Sequence, residues 1–585
     1  MVITVPLMRA ELMRGTSLAA AATWLALASP AHAQPRPLSG SGSSGLGSGS
    51  ISRPGILSGS DVAEGASGGA DSSPVRLGDF GLPFGSAVDT GADAGQQRGW
   101  NIVPSLGISQ LATDNINQTR RNKQAEFVTS ITPGVLVTMD TARAQGVVSY
   151  DPSYRYYANG TSQSGVDHNF NGQVLLTLVP EFLFLDLRGS ASRQAAGGGY
   201  NQGGENTTSR DNTIQTTSFQ ISPYILQRFG GTANLQLGYA FQSVTQDSRD
   251  NTVLLGPNGL PYFQDQDFTA HEFYAVVRSG EEFGRLALEG RLISTDYIGT
   301  GVLDGAYRRT AAVEGRYAIN RFVSALGEIG FEEQRYSGLP PFELSEAIWS
   351  VGTRLTFSED SWVTVRYGHH DGFNSVQAEG TVGLGVRTRL YGSYGERIGT
   401  GAQRAADLLT NTTLDDLGNP VDRNTGGPIV QPFANSLLGV QSSVMRTRTG
   451  TATISQGWDR DTFSLTLLRE ERTPVSVDPG TFTEPTSGNS ASFTWSHSLS
   501  PSTSTSLSLQ YGTYESARFG DGNVYSVQAS LFSELKPGLV GSLQLISSSR
   551  SNQASFDRSR FDRFGDNSSG RALQNTIIAG LRQTF

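Results

Sequence analysis

The sequence predicts an all-β fold, a transmembrane antiparallel β-barrel of about 22 strands, with roughly 18 to 24 as the range that strand boundaries read from sequence allow. Three observations carry that expectation. From Trp100 to the end, short segments alternate apolar and polar residues, the period of a strand with two different faces. Their connections switch regularly between tight turns and long polar loops. And although the chain has 585 residues, only 37% are hydrophobic and 17% charged, and beyond the N-terminus no apolar run approaches the roughly 20 residues of a membrane-spanning helix. If this chain enters a membrane, strands must take it there.

The N-terminus has its own pattern. Arg9 and Arg14 precede an apolar stretch from Leu18 to Ala28, and Ser29-Pro30-Ala31-His32-Ala33 follows with small residues at the positions a signal peptidase reads. Residues 1–33 are therefore expected to be a signal peptide, cleaved before Gln34. Residues 34–99 are dominated by Gly, Ser, Ala, Pro and Asp, as in Ser39-Gly40-Ser41-Gly42-Ser43-Ser44-Gly45. Such a stretch buries too little apolar surface to offset its ordering entropy, and reads as a flexible periplasmic segment rather than a folded plug. Residues 100–585 are left for the barrel.

Within the barrel region, Leu235, Leu237, Tyr239 and Phe241 alternate with Asn234, Gln236, Gly238 and Gln242. Val363, Val365 and Tyr367 alternate with Thr364, Arg366 and Gly368, and the segments around Phe463 to Leu467 and Leu507 to Tyr511 repeat the pattern. Tight turns are expected at Pro180-Glu181, Phe229-Gly230-Gly231, Glu282-Phe283-Gly284, Asn320-Arg321-Phe322, Glu359-Asp360, Asp459-Arg460-Asp461 and Lys536-Pro537-Gly538. Long polar loops are expected at 197–212, 248–268, 401–438, 476–488 and 557–570. A soluble sandwich also alternates, but it has no reason to keep short turns on one side and long loops on the other. Both barrel ends then fall on the periplasmic side. Pro133, Pro152 and Pro223 cannot donate to a ladder, so bulges or breaks are expected there.

Closure explains the composition, because in lipid every backbone polar group must be paired inside the protein. Taking the apolar phase as lipid-facing places Arg188, Arg291, Arg316, Arg354, Arg366 and Arg582 in the lumen, with Asp186, Glu289, Glu314, Glu328 and Glu379. Most of these are expected to pair across neighbouring strands, and their mixed signs predict no strong ion selectivity.

Other clusters carry weaker signals. His369-His370-Asp371 sits at the rim of an expected extracellular loop, where some barrel hydrolases place such residues, but no Ser nucleophile is indicated by spacing. No enzymatic activity is expected. The carboxylates of Asp415-Asp416-Leu417-Gly418-Asn419-Pro420-Val421-Asp422 do not match an EF-hand loop and read as a solvated turn, and the similar Leu255-Gly256-Pro257-Asn258-Gly259 supports a hairpin-like fold of the loop in both places. Arg558, Arg560 and Arg563 with Asp557, Asp562 and Asp566 read as a self-pairing loop within reach of lipopolysaccharide. The chain has no cysteine, which removes Cys-linked lipid, disulfides and Cys-ligated zinc. No cofactor or metal is expected. The net charge of -9, with no basic cluster interleaved with aromatics, argues against a nucleic-acid partner.

The last strand carries Leu573, Ile577, Ala579 and Leu581 on one face and ends on Phe585. A terminal aromatic closing such a strand resembles the signal read by the barrel assembly machinery, with Gln583 as a departure from it. The barrel's opening, with Pro104-Ser105-Leu106, Ala112-Thr113-Asp114-Asn115-Ile116 and Phe127-Val128-Thr129-Ser130-Ile131-Thr132-Pro133-Gly134, resembles the outer-membrane β-barrel porin 2 family. That family is associated with exopolysaccharide export or exosortase systems. The resemblance implies an outer-membrane conduit for a secreted polysaccharide, with periplasmic export proteins as partners and the outer-membrane lipids and lipopolysaccharide around it. A diffusion porin for small solutes is the alternative, and a surface adhesin or barrel hydrolase a further one.

Overall fold

The computed structural model describes residues 99–119, 122–195, 209–210, 213–248, 261, 263–358, 361–414, 420–422, 438–516, 521–552 and 570–585. The expected signal peptide, nearly all of the Gly/Ser-rich segment, Leu255–Gly259, Asp415–Asn419, Glu359-Asp360 and the Arg558 loop lie outside the described residues.

The alternating segments form one sheet, antiparallel throughout, in which each strand pairs with its sequence neighbours. The sheet closes through Ser105–Thr113 on Thr576–Thr584. Two of its strands are each split into a pair of segments, so the barrel has 22 strands. Ala144–Tyr150 and Ser153–Tyr157 continue one register against Glu126–Asp140, and Gly165–Asp167 and Phe170–Val179 form the next strand in the same way.

The prolines act differently from one another. Pro152 interrupts its strand, as expected, and its position in the register is opposite Pro133. Pro133 itself lies within Glu126–Asp140 with no shift of register against Leu106. Pro223 leaves Thr213–Phe229 continuous, but pairing to Ala233–Asp247 lapses between Ile221↔Phe241 and Tyr224↔Gly238. A missing N–H thus costs ladder rungs without breaking every strand that carries one.

Short connections collect at one end, at 141–143, 180–182, 230–232, 280–285, 319–322, 384–387, 458–460, 501–502 and 537–538, and both barrel termini lie there. At the other end the connections vary widely. One departs from expectation, since His370 and Phe373 are paired and joined only by Asp371-Gly372, so no long loop follows the two histidines. Another, 401–438, is not a plain polar loop, because it opens with a helix, Gly401–Asn411.

The outward phase carries exposed Leu106, Ile108, Leu292, Val313, Ile329, Val351, Val365, Leu467 and Ile577. Near the short turns it is lined by Trp100, Phe182, Phe229, Phe283, Phe322, Phe357, Trp458 and Phe585. An apolar band edged by aromatic rings is the lipid-facing surface of a membrane-spanning barrel. Ile329, midway along Val323–Tyr336 and 71% exposed, tests this. Ile329→Lys is expected to cost about 2–4 kcal/mol of folding stability in lipid vesicles, the usual penalty for a cation at the midplane. A shift in urea midpoint no larger than that of a surface substitution in a soluble protein would remove the assignment.

Candidate functional site in the barrel lumen

The inward phase is polar. On consecutive strands from Phe268–Ser279 to Ser361–His370, buried charges form a ladder. Arg278 Nε donates to Glu289 at 2.9 Å, Arg291 pairs with Glu328 and approaches Glu314 at 3.6 Å, and Arg366 holds both Glu314 oxygens at 2.9 and 3.0 Å. Ser350 Oγ donates to Glu328 at 3.2 Å, and Arg354 lies 4.3 Å over the Trp362 ring. Arg316 and Glu379 share the inward phase of their strands. The other expected lumen charges sit apart: Arg188 with Asp186 at 2.9 Å, and Arg582 with Ser105 Oγ at 2.8 Å and with Asp151. With signs alternating along the ladder, its charges largely cancel one another's field.

The opposite wall, from Asp461–Ser476 round to the closing strand, carries Glu470, Arg472 and Arg582 but is otherwise richer in neutral polar side chains. Thr462, Ser506, Ser526, Ser530, Ser542, Gln544, Ser548, Gln574 and Thr576 are buried on its inner face. The lumen therefore has a self-paired charged wall and a wall on which hydroxyls and amides outnumber charges.

At the loop end, the helix Gly401–Asn411 and residues 438–443, both in the connection from Thr388–Gly399 to Val444–Gly457, pack against inward-facing residues of the barrel. The helix begins with a reciprocal cap, because Gln403 N–H donates to Thr400 Oγ1 at 3.2 Å while Thr400 N–H donates to Gln403 Oε1 at 2.9 Å. Ala402, Ala405, Ala406 and Leu409 follow at the spacing of one helical face. The helix packs against Leu183–Ala195, Thr213–Phe229 and Ala233–Asp247, eight or more strands from the strand that precedes it. Arg188 Nη1 on that far wall donates to Leu409 O at 2.8 Å.

Ala402 and Ala406 join Val244, Phe268, Ala270, Val302, Leu303, Ala306, Tyr336, Ile398 and Val444 in an apolar cluster. On the return leg Val440 packs on Ile214 and Phe263, and Leu438 on Tyr514 and Val524. Gln266 Nε2 donates to Ser442 O, and Gly401 N–H donates to Gln441 O at 3.3 Å. Residues from walls on opposite sides are thus bridged by the described parts of one segment.

One carboxylate holds both legs of that segment. Glu470 Oε1 accepts Arg404 Nη1 from the helix at 3.1 Å and Arg472 Nε at 2.9 Å, and Arg472 Nη1 donates to Gly439 O at 2.7 Å. All three charged side chains are buried. Burial pulls the Arg404 guanidinium down to about 9, neighbouring Arg472 adds to the pull, and Glu470 opposes it.

The remaining candidates do not converge. His369 points outward, with Nε2 2.8 Å from Glu346 and Nδ1 2.9 Å from Asn374, whereas His370 faces inward, 3.7 Å from Glu328. Asp371 is buried and structural, accepting from Gln334 at 2.5 Å and from Ile398 N–H at 3.3 Å, with Arg308 at 3.3 Å. Pro420–Asp422 pairs with Thr412–Leu414 as a small hairpin. Among the described residues no group of acidic or histidine side chains is placed to hold a metal ion. Phe585 is exposed past the last strand, its N–H donating to Pro104 O at 2.9 Å.

The inward segment escaped the sequence reading although two signals mark it. Thr400 and Gln403 have capping-box spacing, and the alanines after them repeat every three or four residues.

No family model matches the chain, and no curated protein does. Among solved structures, the FrpB iron transporter from Neisseria meningitidis (F3-3 variant) is similar at 9% identity over 84% of this chain and 82% of its own, with a TM-score of 0.44. The siderophore receptor PirA from Acinetobacter baumannii is similar at 7% identity over 84% and 81%, with a TM-score of 0.45. Pseudomonas aeruginosa OccK2 (OpdF) is similar at 9% identity over 83% and 98%, with a TM-score of 0.33.

Proposed function

We propose that this chain is an outer-membrane channel, shut at its loop end in this conformation by the helix Gly401–Asn411 and residues 438–443 of one connection, and that its cargo is a neutral, hydroxyl-rich polymer of the polysaccharide type. The observation that carries the channel reading is a closed barrel with a polar interior, occluded by a connection between two of its own strands. A segment continuous with the wall can swing aside while the wall stays paired. The cargo reading draws on the hydroxyl- and amide-rich wall, whose serine, threonine and glutamine side chains exchange hydrogen bonds with sugar hydroxyls at little cost in desolvation. The charged wall supports it too, because a self-paired ladder leaves little field to select or repel ions.

In this reading the short-turn end faces the periplasm, where export proteins deliver the polymer. The test uses refolded barrel in a planar bilayer, opened by replacing the segment, with neutral oligosaccharides of increasing length added on the short-turn side. Transient current blockades whose dwell time lengthens with the oligosaccharide are expected, with potassium and chloride permeabilities of similar size. Unblocked current would instead mark a diffusion pore for small solutes, and strong ion selectivity would remove the neutral-cargo reading.

A further inference from the structure

The barrel wall is incompletely zipped at one seam. Phe373–Gly383 pairs with the preceding strand up to His370↔Phe373, and Thr388–Gly399 pairs with the following strand up to Gly399↔Met445. Between these two strands the ladder has six pairs and stops at Ala378↔Tyr394. Residues 373–377 on one edge and 395–399 on the other carry no register pairing to each other.

One edge of the seam borders the apolar band, and the other is charged. Val376 lies beyond the last rung, and its lateral neighbours in register, Tyr367 and then Val351, are exposed and apolar as it is. Had the ladder continued, Val376 would face Glu396. Glu396 instead accepts Arg446 Nε at 2.9 Å and Arg448 Nε at 2.8 Å. What spans the gap is side chain: Asp371 Oδ2 takes the Ile398 N–H at 3.3 Å, and the Arg446 guanidinium lies 3.9 Å over the Phe373 ring. Unzipped backbone at membrane depth is tolerated only where protein covers it or it lines a water-filled cavity, which makes this edge part of the polar lumen, and side-chain closures part more readily than a ladder.

From this we propose that the seam between Phe373–Gly383 and Thr388–Gly399 is a lateral passage between the lumen and the outer leaflet, taking an anionic amphiphile of the membrane. The acyl chain passes between the unpaired edges. The anionic head is met by Arg446, Arg448 and Arg469, three cations against the two carboxylates of Glu396 and Glu471, with Arg448 and Arg469 45% and 65% exposed. The passage rests on the channel reading, since it needs a lumen to open into, and goes beyond it by assigning a second exit and a second class of ligand.

The natural chain has no cysteine, so a pair placed across the seam reports cleanly. Gln377→Cys with Gly395→Cys sits one rung beyond the last pair. The full chain is reconstituted in phosphatidylethanolamine vesicles containing phosphatidylglycerol with a diazirine in its acyl chain, irradiated, and its labelled residues mapped by mass spectrometry. Inward residues beside the seam, Arg397 and Asp407, are expected to label in the wild type and the reduced variant and to lose most of that labelling in the oxidised variant. Outward Ile329 and Val351 label equally throughout. Asp371→Ala, which removes the acceptor across the gap, is expected to raise inward labelling severalfold. Labelling confined to outward residues in every state would overturn the passage, and equal inward labelling from the matching phosphatidylcholine probe would overturn the anionic assignment. Ion current is measured on the same seam variants with residues 400–443 replaced by a short turn, where the channel reading expects conduction. Locking the seam leaves that current unchanged, so loss of the channel reading and loss of the lateral passage are told apart.

Discussion

Replacing residues 400–443 with a short Gly-containing hairpin turn is expected to convert a nearly silent barrel into a large, steady conductor, raising single-channel current by about tenfold or more, because barrels of this strand number enclose a lumen that passes ions freely unless something fills it. The replacement is geometrically mild. Gly399 and Met445 are already register partners, so the two strands can be joined by a tight turn without disturbing a rung. What leaves is the material that spans the lumen: Ala402 and Ala406 from the apolar cluster, Val440 from its contact with Ile214, and the Leu409 carbonyl from Arg188. An apolar constriction blocks ions by excluding water as well as by occupying space, so its removal acts on current steeply. Apart from the partly unpaired seam between Phe373–Gly383 and Thr388–Gly399, the wall is paired strand to strand without help from the helix, and its thermal unfolding should barely move. Unchanged current from a variant shown to be folded would place the block elsewhere in the chain and remove the 400–443 segment as the gate.

The barrel was legible from sequence because a strand with lipid on one face and water on the other leaves a period of two that survives over hundreds of residues. Leu235 to Phe241 and Val363 to Tyr367 show it, and the even strand count follows from the regular alternation of turn and loop. The phase also placed Arg291, Glu314, Glu328 and Arg366 on one face of their strands, since a one-residue slip would have put all of them in lipid. Which of them touch was not legible. Register between neighbours fixes that Glu314 lies beside Arg291 and reaches Arg366, and register is set by turn lengths that the sequence specifies only to within a residue or two. His369-His370-Asp371 misled for a related reason. Adjacent residues of a strand face opposite ways, so a cluster in sequence became three separate environments, and Asp371-Gly372 made a tight turn where a loop had been expected. The inward segment was missed because its composition is polar on average. Its fold depends on a Thr400–Gln403 cap, on small alanines that fit against a distant wall, and on Glu470, which lies outside the segment altogether.

Glu470→Gln is expected to free that segment while leaving the barrel standing. In the wild type one carboxylate compensates two buried guanidiniums, Arg404 on the outgoing leg and Arg472, which in turn holds Gly439 O on the return leg. The amide keeps the shape but not the charge. Removing one partner from a buried ionic cluster typically costs about 3–5 kcal/mol, because the remaining charges stay in a poorly solvated site. That is roughly two to three and a half decades in an equilibrium constant, enough to move a segment closed by a few kcal/mol into a largely open population. The inward state bears the cost, since swinging out returns Arg404 to water. The expected readout is a rise in open probability in planar bilayers together with new proteolytic cleavage within 401–443, at an unaltered melting temperature for the barrel. Arg404→Leu, Glu470→Leu and Arg472→Met combined should restore closure, because the three charges of the cluster leave together. If the triple variant stays open like Glu470→Gln, the cluster acts through its hydrogen-bond geometry; if Glu470→Gln stays shut, the apolar cluster around Ala402 and Ala406 holds the gate without it.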